Sequence, residues 1–235
     1  MPLHVFRLPS AGGTATSPSM LSWRDGLRAA LLARPAPPAL AQVTCLSKAK
    51  PALIAQVKAV GAGDTVALVG FSKGSRVCLE AVAALGGAPV ACVVAAGFPL
   101  YGDADKTSRA GELTAFAALP GACPCLLLSG TRDLMLRPAK GKGAPADTAT
   151  LAAAAAAMPA GSRLELVAGA DHSLLVGDSR EASLQAMAAF IPAHPAAGGG
   201  GGGAGGGGGG GGGPGGSASG GGGGGGGGKR RKVKE

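Results

Sequence analysis

The sequence predicts an α/β fold: a three-layer α/β/α domain on a mostly parallel sheet of about six strands. Short apolar runs rich in Val, Leu and Ile alternate with alanine-rich stretches of helical spacing, which is the rhythm of strand–helix–strand units. The apolar runs are nearly continuous, as expected for strands that helices cover on both faces. Glycine-containing turns separate many of these segments, and glycine is a frequent turn residue.

Each predicted strand is followed along the chain by one predicted helix. Asp64 follows a Gly-Ala-Gly turn and precedes the third strand. Gly86 and Gly87 follow the third helix, where a left-handed cap would end it. A basic loop with proline and glycine, 137–145, separates the fifth strand from the fifth helix. The strands are predicted over 3–8, 42–46, 65–69, 90–95, 125–129 and 164–167, and the helices over about 20–33, 50–60, 73–85, 110–118, 148–158 and 180–190.

Glycine and charge both set the end of the chain apart from the rest. Of 45 glycines, 26 lie within 198–228, and a segment with so few side chains cannot bury apolar surface. We therefore predict a folded domain over 1–195, a disordered glycine-rich tail over 196–228 and a basic cluster over 229–235. The last seven residues carry +4 of the net charge of +9. The remaining +5 argues against a nucleic-acid-binding domain, so any nucleic-acid contact should be weak and nonspecific.

The cysteines and apolar runs indicate the cellular compartment. Five cysteines, an odd number in mostly apolar surroundings, predict buried free thiols in a reducing compartment. Cys123 and Cys125 form a C-x-C with no nearby residues to complete a zinc tetrahedron, so we predict core packing and no metal. No signal peptide is evident, and no apolar run approaches the ~20 residues of a membrane span. We expect a nuclear or cytoplasmic protein, neither secreted nor in a membrane.

The residues after the third predicted strand fit the pattern G-x-S-x-G. This pattern covers 70–74 and lies between a strand and a helix that begins near Lys73. Such a sharp strand-to-helix turn holds a serine in a strained conformation, with its hydroxyl exposed at the positive end of the helix. Ser72 is therefore a candidate nucleophile at the carboxyl end of a strand, where parallel sheets place their chemistry. The alternative is a serine helix cap after a glycine turn.

A nucleophilic serine needs a base, and this chain has three histidines. His4 lies in the first predicted strand, and His194 lies beside the glycine-rich tail. His172 alone follows both Ser72 and a predicted strand. We predict that His172 is the base, with a surface loop histidine as the alternative.

The acid that orients the base should lie between the serine and the histidine in the chain. Asp133 does so, on the loop after the fifth predicted strand and shortly after Gly130. Asp103 and Asp105 follow the preceding strand at a greater distance. Asp171 adjoins the histidine, so its side chain should diverge from the imidazole. We predict that Asp133 is the acid.

A resemblance to a known family rests on four spaced segments: 70–76 (Gly-Phe-Ser-Lys-Gly-Ser-Arg), 97–100 (Gly-Phe-Pro-Leu), 130–133 (Gly-Thr-Arg-Asp) and 169–172 (Gly-Ala-Asp-His). The sequence resembles the α/β-hydrolase superfamily in its dienelactone-hydrolase-like branch. Within that branch it is similar to the group of testis-expressed protein thirty and the hydrolase-like region of NSL complex subunit three. The resemblance spans about residues 3–190. It implies a serine hydrolase that cleaves an ester or thioester through an acyl-enzyme, without a cofactor.

The resemblance also implies an oxyanion hole. In such proteins a His-Gly-Ala-Gly-Gly-like loop follows a strand and supplies one N–H donor, and here Pro-Ser-Ala-Gly-Gly occupies 9–13. The backbone N–H groups of Lys73 and of Ala11 or Gly12 would then hold the oxyanion. Pro9 and Ser10 replace the family's His-Gly pair. The chain also begins at about the third strand of the usual sheet, so we expect a fold that lacks the two leading strands.

Two questions stay open at this point. Phe98, Leu100 and Tyr101 follow the fourth predicted strand and could line an acyl pocket, or they could pack in the core or a lid. The basic run 229–234 on a flexible tether indicates an import-receptor site. Together with Pro9 and Ser10, this run leaves open a non-catalytic hydrolase-fold module that binds a protein partner in a nuclear or chromatin-associated complex.

Overall fold

The structure is a computed structural model. It describes residues 2–9, 14, 16–38, 41–46, 50–86, 90–102, 108–138, 145–174 and 178–191. All of them lie in the first of the two units into which the chain divides, Met1–Gly200. The predicted tail over 196–228 and the basic cluster over 229–235 lie outside the described residues.

Six strands form one sheet, and every neighbouring pair is parallel. The predicted six-stranded α/β fold is therefore confirmed. The strands are β1 (Leu3–Leu8), β2 (Ala41–Cys45), β3 (Thr65–Phe71), β4 (Val90–Ala96), β5 (Cys125–Gly130) and β6 (Arg163–Val167). Their spatial order is β2-β1-β3-β4-β5-β6. The chain changes direction across the sheet between β1 and β3, and a crevice for ligands opens at such a switch point.

In the part of the chain that the structure describes, six α-helices alternate with the strands: α1 (Pro18–Leu32), α2 (Lys50–Lys58), α3 (Lys73–Leu85), α4 (Ala110–Ala117), α5 (Thr148–Ala157) and α6 (Asp178–Phe190). The helix α1 begins two residues before its predicted start, because proline is well tolerated in the first helical turn. Gly86 ends α3 with a φ of 66°, a left-handed conformation that glycine adopts without steric cost. A short 3₁₀ turn, Leu134–Leu136, follows β5 and was not predicted.

Two buried apolar clusters lie on opposite faces of the sheet. One cluster joins the sheet to α2, α3, α4 and α5, and the other joins it to α1 and α6. Alternate strand residues enter each cluster, as with Leu68 on one face and Val69 on the other, because successive strand side chains point in opposite directions. This arrangement is the predicted three-layer architecture.

All five cysteines are free thiols, and Cys45 is the only one with partial exposure. Burial raises the pKa of the other four above the ordinary value, to about 12 for Cys123. Across the described parts of the chain, no three His, Cys, Asp or Glu side chains are grouped so that they could hold a metal ion. None of the described helices is both long and apolar enough to cross a membrane.

Candidate active site

Ser72 lies in the turn between β3 and α3, with φ 49° and ψ −116°. A positive φ is strained for any residue with a β-carbon, and close backbone contacts hold the residue in it. The Ser72 N–H donates to the Ala96 carbonyl oxygen at 2.9 Å, and the Ser75 N–H donates to the Ser72 carbonyl oxygen at 3.0 Å. The Ser72 side chain makes no capping hydrogen bond to α3. The helix-cap alternative therefore does not describe this residue.

Glycine is required on both sides of Ser72 by the closeness of neighbouring backbone. A β-carbon at position 70 would lie 2.5 Å from the Ser75 α-carbon, and one at position 74 would lie 2.8 Å from the Leu8 carbonyl oxygen. Real β-carbons do not approach other atoms so closely. We call residues 70–74 the serine turn; its two glycines let β3, α3 and the end of β1 meet.

The structure brings Ser72, His172 and Asp133 into one hydrogen-bonded chain. The His172 Nε2 lies 2.9 Å from the Ser72 Oγ. The His172 Nδ1 lies 2.9 Å and 3.1 Å from the two carboxylate oxygens of Asp133. An ionised carboxylate only accepts hydrogen bonds, so Nδ1 carries the proton and Nε2 is left to accept from the serine hydroxyl.

The three side chains differ in their access to solvent. The Asp133 side chain is fully buried, whereas 27% of the His172 side chain is exposed. The Met135 N–H donates to Asp133 Oδ1 at 2.7 Å, so the unpredicted 3₁₀ turn after β5 fixes the carboxylate. The buried acid therefore orients the imidazole, and Ser72 is itself half-buried.

The backbone of His172 packs against a third glycine, Gly97, at the end of β4. A β-carbon at Gly97 would lie 2.8 Å from the His172 carbonyl oxygen, and Gly97 has a φ of 54°. Two residues after His172, Leu174 is fully buried with a φ of 53°. Both conformations are unfavourable for ordinary side chains, so the loop that carries His172 is held tightly by its surroundings.

Part of the predicted oxyanion hole lies within the described residues. Lys73 is the first residue of α3, so its N–H has no acceptor within the helix. The Pro9 carbonyl oxygen lies beside Gly74, which brings the start of the second donor segment to the serine turn. Ala11 and Gly12 lie outside the described residues.

The structure supports the packing role for the residues predicted to line an acyl pocket. Phe98 and Leu100 are fully buried, and Tyr101 is 9% exposed, all within one core cluster. The Tyr101 hydroxyl donates to Asp147 Oδ2 at 2.7 Å, and this bond raises the pKa of Tyr101. A role for these residues in acyl binding stays a prediction.

The other histidine and carboxylate candidates lie elsewhere or outside the described residues. His4 Nε2 lies 3.0 Å from Asp64 Oδ2, near the amino-terminal ends of β1 and β3. Asp171 turns away from the imidazole as expected, and its Oδ1 accepts from the Ser173 N–H at 2.9 Å. Of the remaining candidates, Asp103, Asp105 and His194 lie outside the described residues.

One residue beside the serine turn was missed by the sequence analysis. Arg7 is 2% exposed, and its guanidinium carbon lies 4.8 Å from the ring centre of Trp23 and 5.4 Å from that of Phe71. Burial lowers the pKa of Arg7 to about 10, so it remains a cation at neutral pH. Because Phe71 directly precedes Ser72, this cation–aromatic contact supports the serine turn from the α1 face. In the sequence, the only sign of this buried cation is that an arginine interrupts an apolar run.

Solved structures similar to this chain share its fold. Dienelactone hydrolase from Anabaena variabilis is 16% identical with a TM-score of 0.56, over 83% of this chain and 87% of that one. Est1E from Butyrivibrio proteoclasticus is 10% identical with a TM-score of 0.55, over 82% and 87%. A monoacylglycerol lipase from Paleococcus ferrophilus is 13% identical with a TM-score of 0.53, over 81% and 94%. Identities this low establish the fold alone.

The family is established by the sequence itself. No curated protein sequence matches the chain significantly. A family described as alpha/beta hydrolase domain matches residues 34–194, which include Ser72, Asp133 and His172. This match covers more than half of the chain. The parallel sheet, the serine turn and the positions of Asp133 and His172 after strand ends all agree with it. The chain belongs to the α/β-hydrolase family.

Proposed function

We propose that this protein is a serine hydrolase that cleaves a carboxylic ester or thioester through an acyl-enzyme. The observation that carries the proposal is the hydrogen-bonded chain from Ser72 Oγ through the His172 imidazole to the buried Asp133 carboxylate. A partner-binding module without catalysis has no need for these three groups in this geometry. Proteins of similar fold include a dienelactone hydrolase and a monoacylglycerol lipase.

The proposed reaction begins when Ser72 Oγ attacks the acyl carbon while His172 Nε2 takes the hydroxyl proton. The Asp133 carboxylate stabilises the imidazolium that forms. When the tetrahedral intermediate collapses, the bond to the alcohol or thiol breaks, and Nε2 returns the proton to that leaving group. Water then repeats the sequence on the acyl-enzyme, with its proton passing through Nε2, and releases a carboxylic acid and free Ser72.

Negative charge on the carbonyl oxygen would be held at the amino-terminal end of α3. The Lys73 N–H is one proposed donor, and the N–H of Ala11 or Gly12 is the other. The positive end of the helix dipole favours an anion at this position. Loss of one such donor typically lowers the rate by about 10²–10³.

Steady-state and burst kinetics on the full chain would test the proposal. The substrates would be p-nitrophenyl esters and aryl thioesters of graded acyl length, with released alcohol or thiol measured over time. We expect turnover that Ser72→Ala abolishes, with Ser19→Ala, an exposed serine on α1, as the matched control. A burst of about one equivalent would report the acyl-enzyme if deacylation is the slower step. Turnover that persists in Ser72→Ala would exclude the proposed mechanism.

We also propose that the basic run 229–234 serves nuclear import, and that the chain is a relative of the group of testis-expressed protein thirty and NSL complex subunit three. Five bases within six residues support the first idea. A fluorescent fusion of the full chain should be nuclear and become diffuse when 229–235 are deleted. An unchanged distribution after the deletion would remove the argument for import.

A further inference from the structure

The histidine's position depends on contacts between two loops at neighbouring strand ends. We call residues 130–133 the acid loop; it begins at the last residue of β5. We call residues 168–174 the histidine loop; it follows β6. The two loops continue the pairing of their strands. The Thr131 N–H donates to the Val167 carbonyl oxygen at 3.1 Å, and the Arg132 N–H donates to the Ala170 carbonyl oxygen at 2.9 Å.

Two side chains of the acid loop hold both polar backbone groups of one residue in the histidine loop, Gly169. The Gly169 N–H donates to Thr131 Oγ1 at 2.9 Å. The Arg132 Nε donates to the Gly169 carbonyl oxygen at 2.7 Å, and such a charge-assisted bond is stronger than a neutral one. Gly169 has a φ of 70°, so these bonds fix a left-handed residue three positions before His172.

We propose that Thr131 and Arg132 are positioning residues, which hold His172 where its imidazole bridges Ser72 and Asp133. This inference rests on the proposed function and deepens it. Contacts between the two loops advance in step, from position 131 to 169, from 132 to 169 and 170, and from 133 to 172. A β-carbon at Gly130 would lie 2.6 Å from the Asp171 carbonyl oxygen, so the loops are already at closest approach.

Stability and positioning can be separated here because both side chains are exposed. Thr131 and Arg132 lie on the surface, so truncating them leaves no core cavity. Without the two side-chain bonds, the histidine loop would keep its backbone contacts but sample a wider range of positions. A displacement of about 1 Å between reacting groups can cost about 10² in rate. Reactivity at Ser72 should therefore fall while the protein stays folded.

The experiment compares Thr131→Val and Arg132→Met with conservative and remote controls on the full chain. Thr131→Ser keeps the hydroxyl that accepts from Gly169. Arg180→Met removes another arginine, a partly exposed one on the α1–α6 side, which donates to the Ser22 carbonyl oxygen at 2.9 Å. Each variant would be measured for its second-order rate of labelling by a fluorophosphonate, its melting temperature, and the low-field proton signal of the His172 Nδ1–H, which Asp133→Asn would assign.

We expect Thr131→Val and Arg132→Met each to slow labelling about 10-fold, and the double variant about 100-fold. The low-field proton signal should broaden or vanish in both, and Thr131→Ser and Arg180→Met should stay within about twofold of the unmodified protein. Unchanged labelling with an intact low-field signal would overturn the positioning role while the proposed function stands. An unmodified protein that is never labelled, but whose low-field signal is lost in both variants, would refute the proposed function and leave the positioning role in place.

Discussion

The serine turn and the paired acid and histidine loops reach the same point of the molecule by different physical means. Ser72 is held mainly by backbone packing: it has a strained φ of 49°, and backbone atoms of the turn itself and of the end of β1 press against its two flanking glycines. His172 is held by residues about 40 positions away: hydrogen bonds join Thr131 and Arg132 to Gly169 in the same loop, and Asp133 to the imidazole itself. A nucleophile fixed by backbone packing thus meets a base fixed by side-chain hydrogen bonds. Changes at the two regions should therefore fail in different ways.

The largest expected effect is at the nonlocal contact between Asp133 and His172. Asp133→Asn keeps the shape of the side chain but offers an N–H where Nδ1 now donates, so the wrong tautomer of His172 faces Ser72. In enzymes with a Ser-His-Asp triad, the equivalent substitution lowers kcat by a factor of about 10⁴. We expect a loss of that order in ester hydrolysis at neutral pH, with little change in melting temperature. Activity within about tenfold of the unmodified protein would contradict the assigned role of Asp133.

The serine turn should lose stability together with activity. In Gly74→Ala the new β-carbon meets the Leu8 and Pro9 carbonyl oxygens. Such overpacking lowers the free energy of unfolding by about 1–3 kcal/mol. Displacement of Ser72 should also slow labelling about 10²-fold. Urea unfolding and labelling rates would be measured on the same samples.

The control for this change is Gly111→Ala in α4, where a β-carbon would meet nothing within 4 Å. It should raise stability by about 0.5–1 kcal/mol, since alanine is the better helix former. If Gly74→Ala were as harmless as Gly111→Ala, backbone packing would not be what fixes the serine turn.

Gly97→Ala tests the far side of the histidine loop and should have an intermediate effect. The added β-carbon would lie 2.8 Å from the His172 carbonyl oxygen and 3.4 Å from its Cε1, so it should move the imidazole. We expect labelling to slow about 10-fold and the low-field proton of His172 to shift. A normal proton spectrum with slow labelling would point instead to damage at β4.

The smallest effect is expected at Arg76, which belongs to the sequence pattern around Ser72 but faces away from the chemistry. Its guanidinium donates twice to the Glu112 carboxylate at 2.7 Å, and this pair ties α3 to α4 at a partly exposed site. Arg76→Met should cost about 0.2–1 kcal/mol of stability and leave labelling unchanged. A labelling rate that falls with Arg76→Met but not with Glu112→Gln would give Arg76 a role in the site.

The fold and the serine turn could be predicted because the sequence patterns that indicate them are short. Apolar runs and glycine turns place all six strands to within two residues, and the serine turn needs only the glycines at 70 and 74 beside Ser72. The start of α1 was misplaced because Pro18 lies in the first helical turn. Strand order depends on packing between distant segments, so the switch point beside Ser72 emerged only from the structure.

The surroundings of the base and acid could be predicted only in part. Adjacency to His172 counted against Asp171, and in the structure Asp133 bonds the imidazole whereas Asp171 accepts from the Ser173 N–H. Nothing in a linear sequence pairs Thr131 or Arg132 with Gly169, since that contact depends on the alignment of β5 with β6. For the same reason, a charged residue within an apolar run, Arg7, gave no sign that aromatic rings would bury it beside the serine turn.

The most direct test of the account is site-mapped labelling of the full-length protein by a fluorophosphonate probe. The probe phosphonylates an activated serine, and digestion with mass spectrometry identifies the residue. We predict one adduct, on Ser72. It should be absent in Ser72→Ala and should form much more slowly in His172→Ala. Folded protein that takes up no probe, or an adduct on another serine that forms at an unchanged rate in Ser72→Ala, would contradict this prediction.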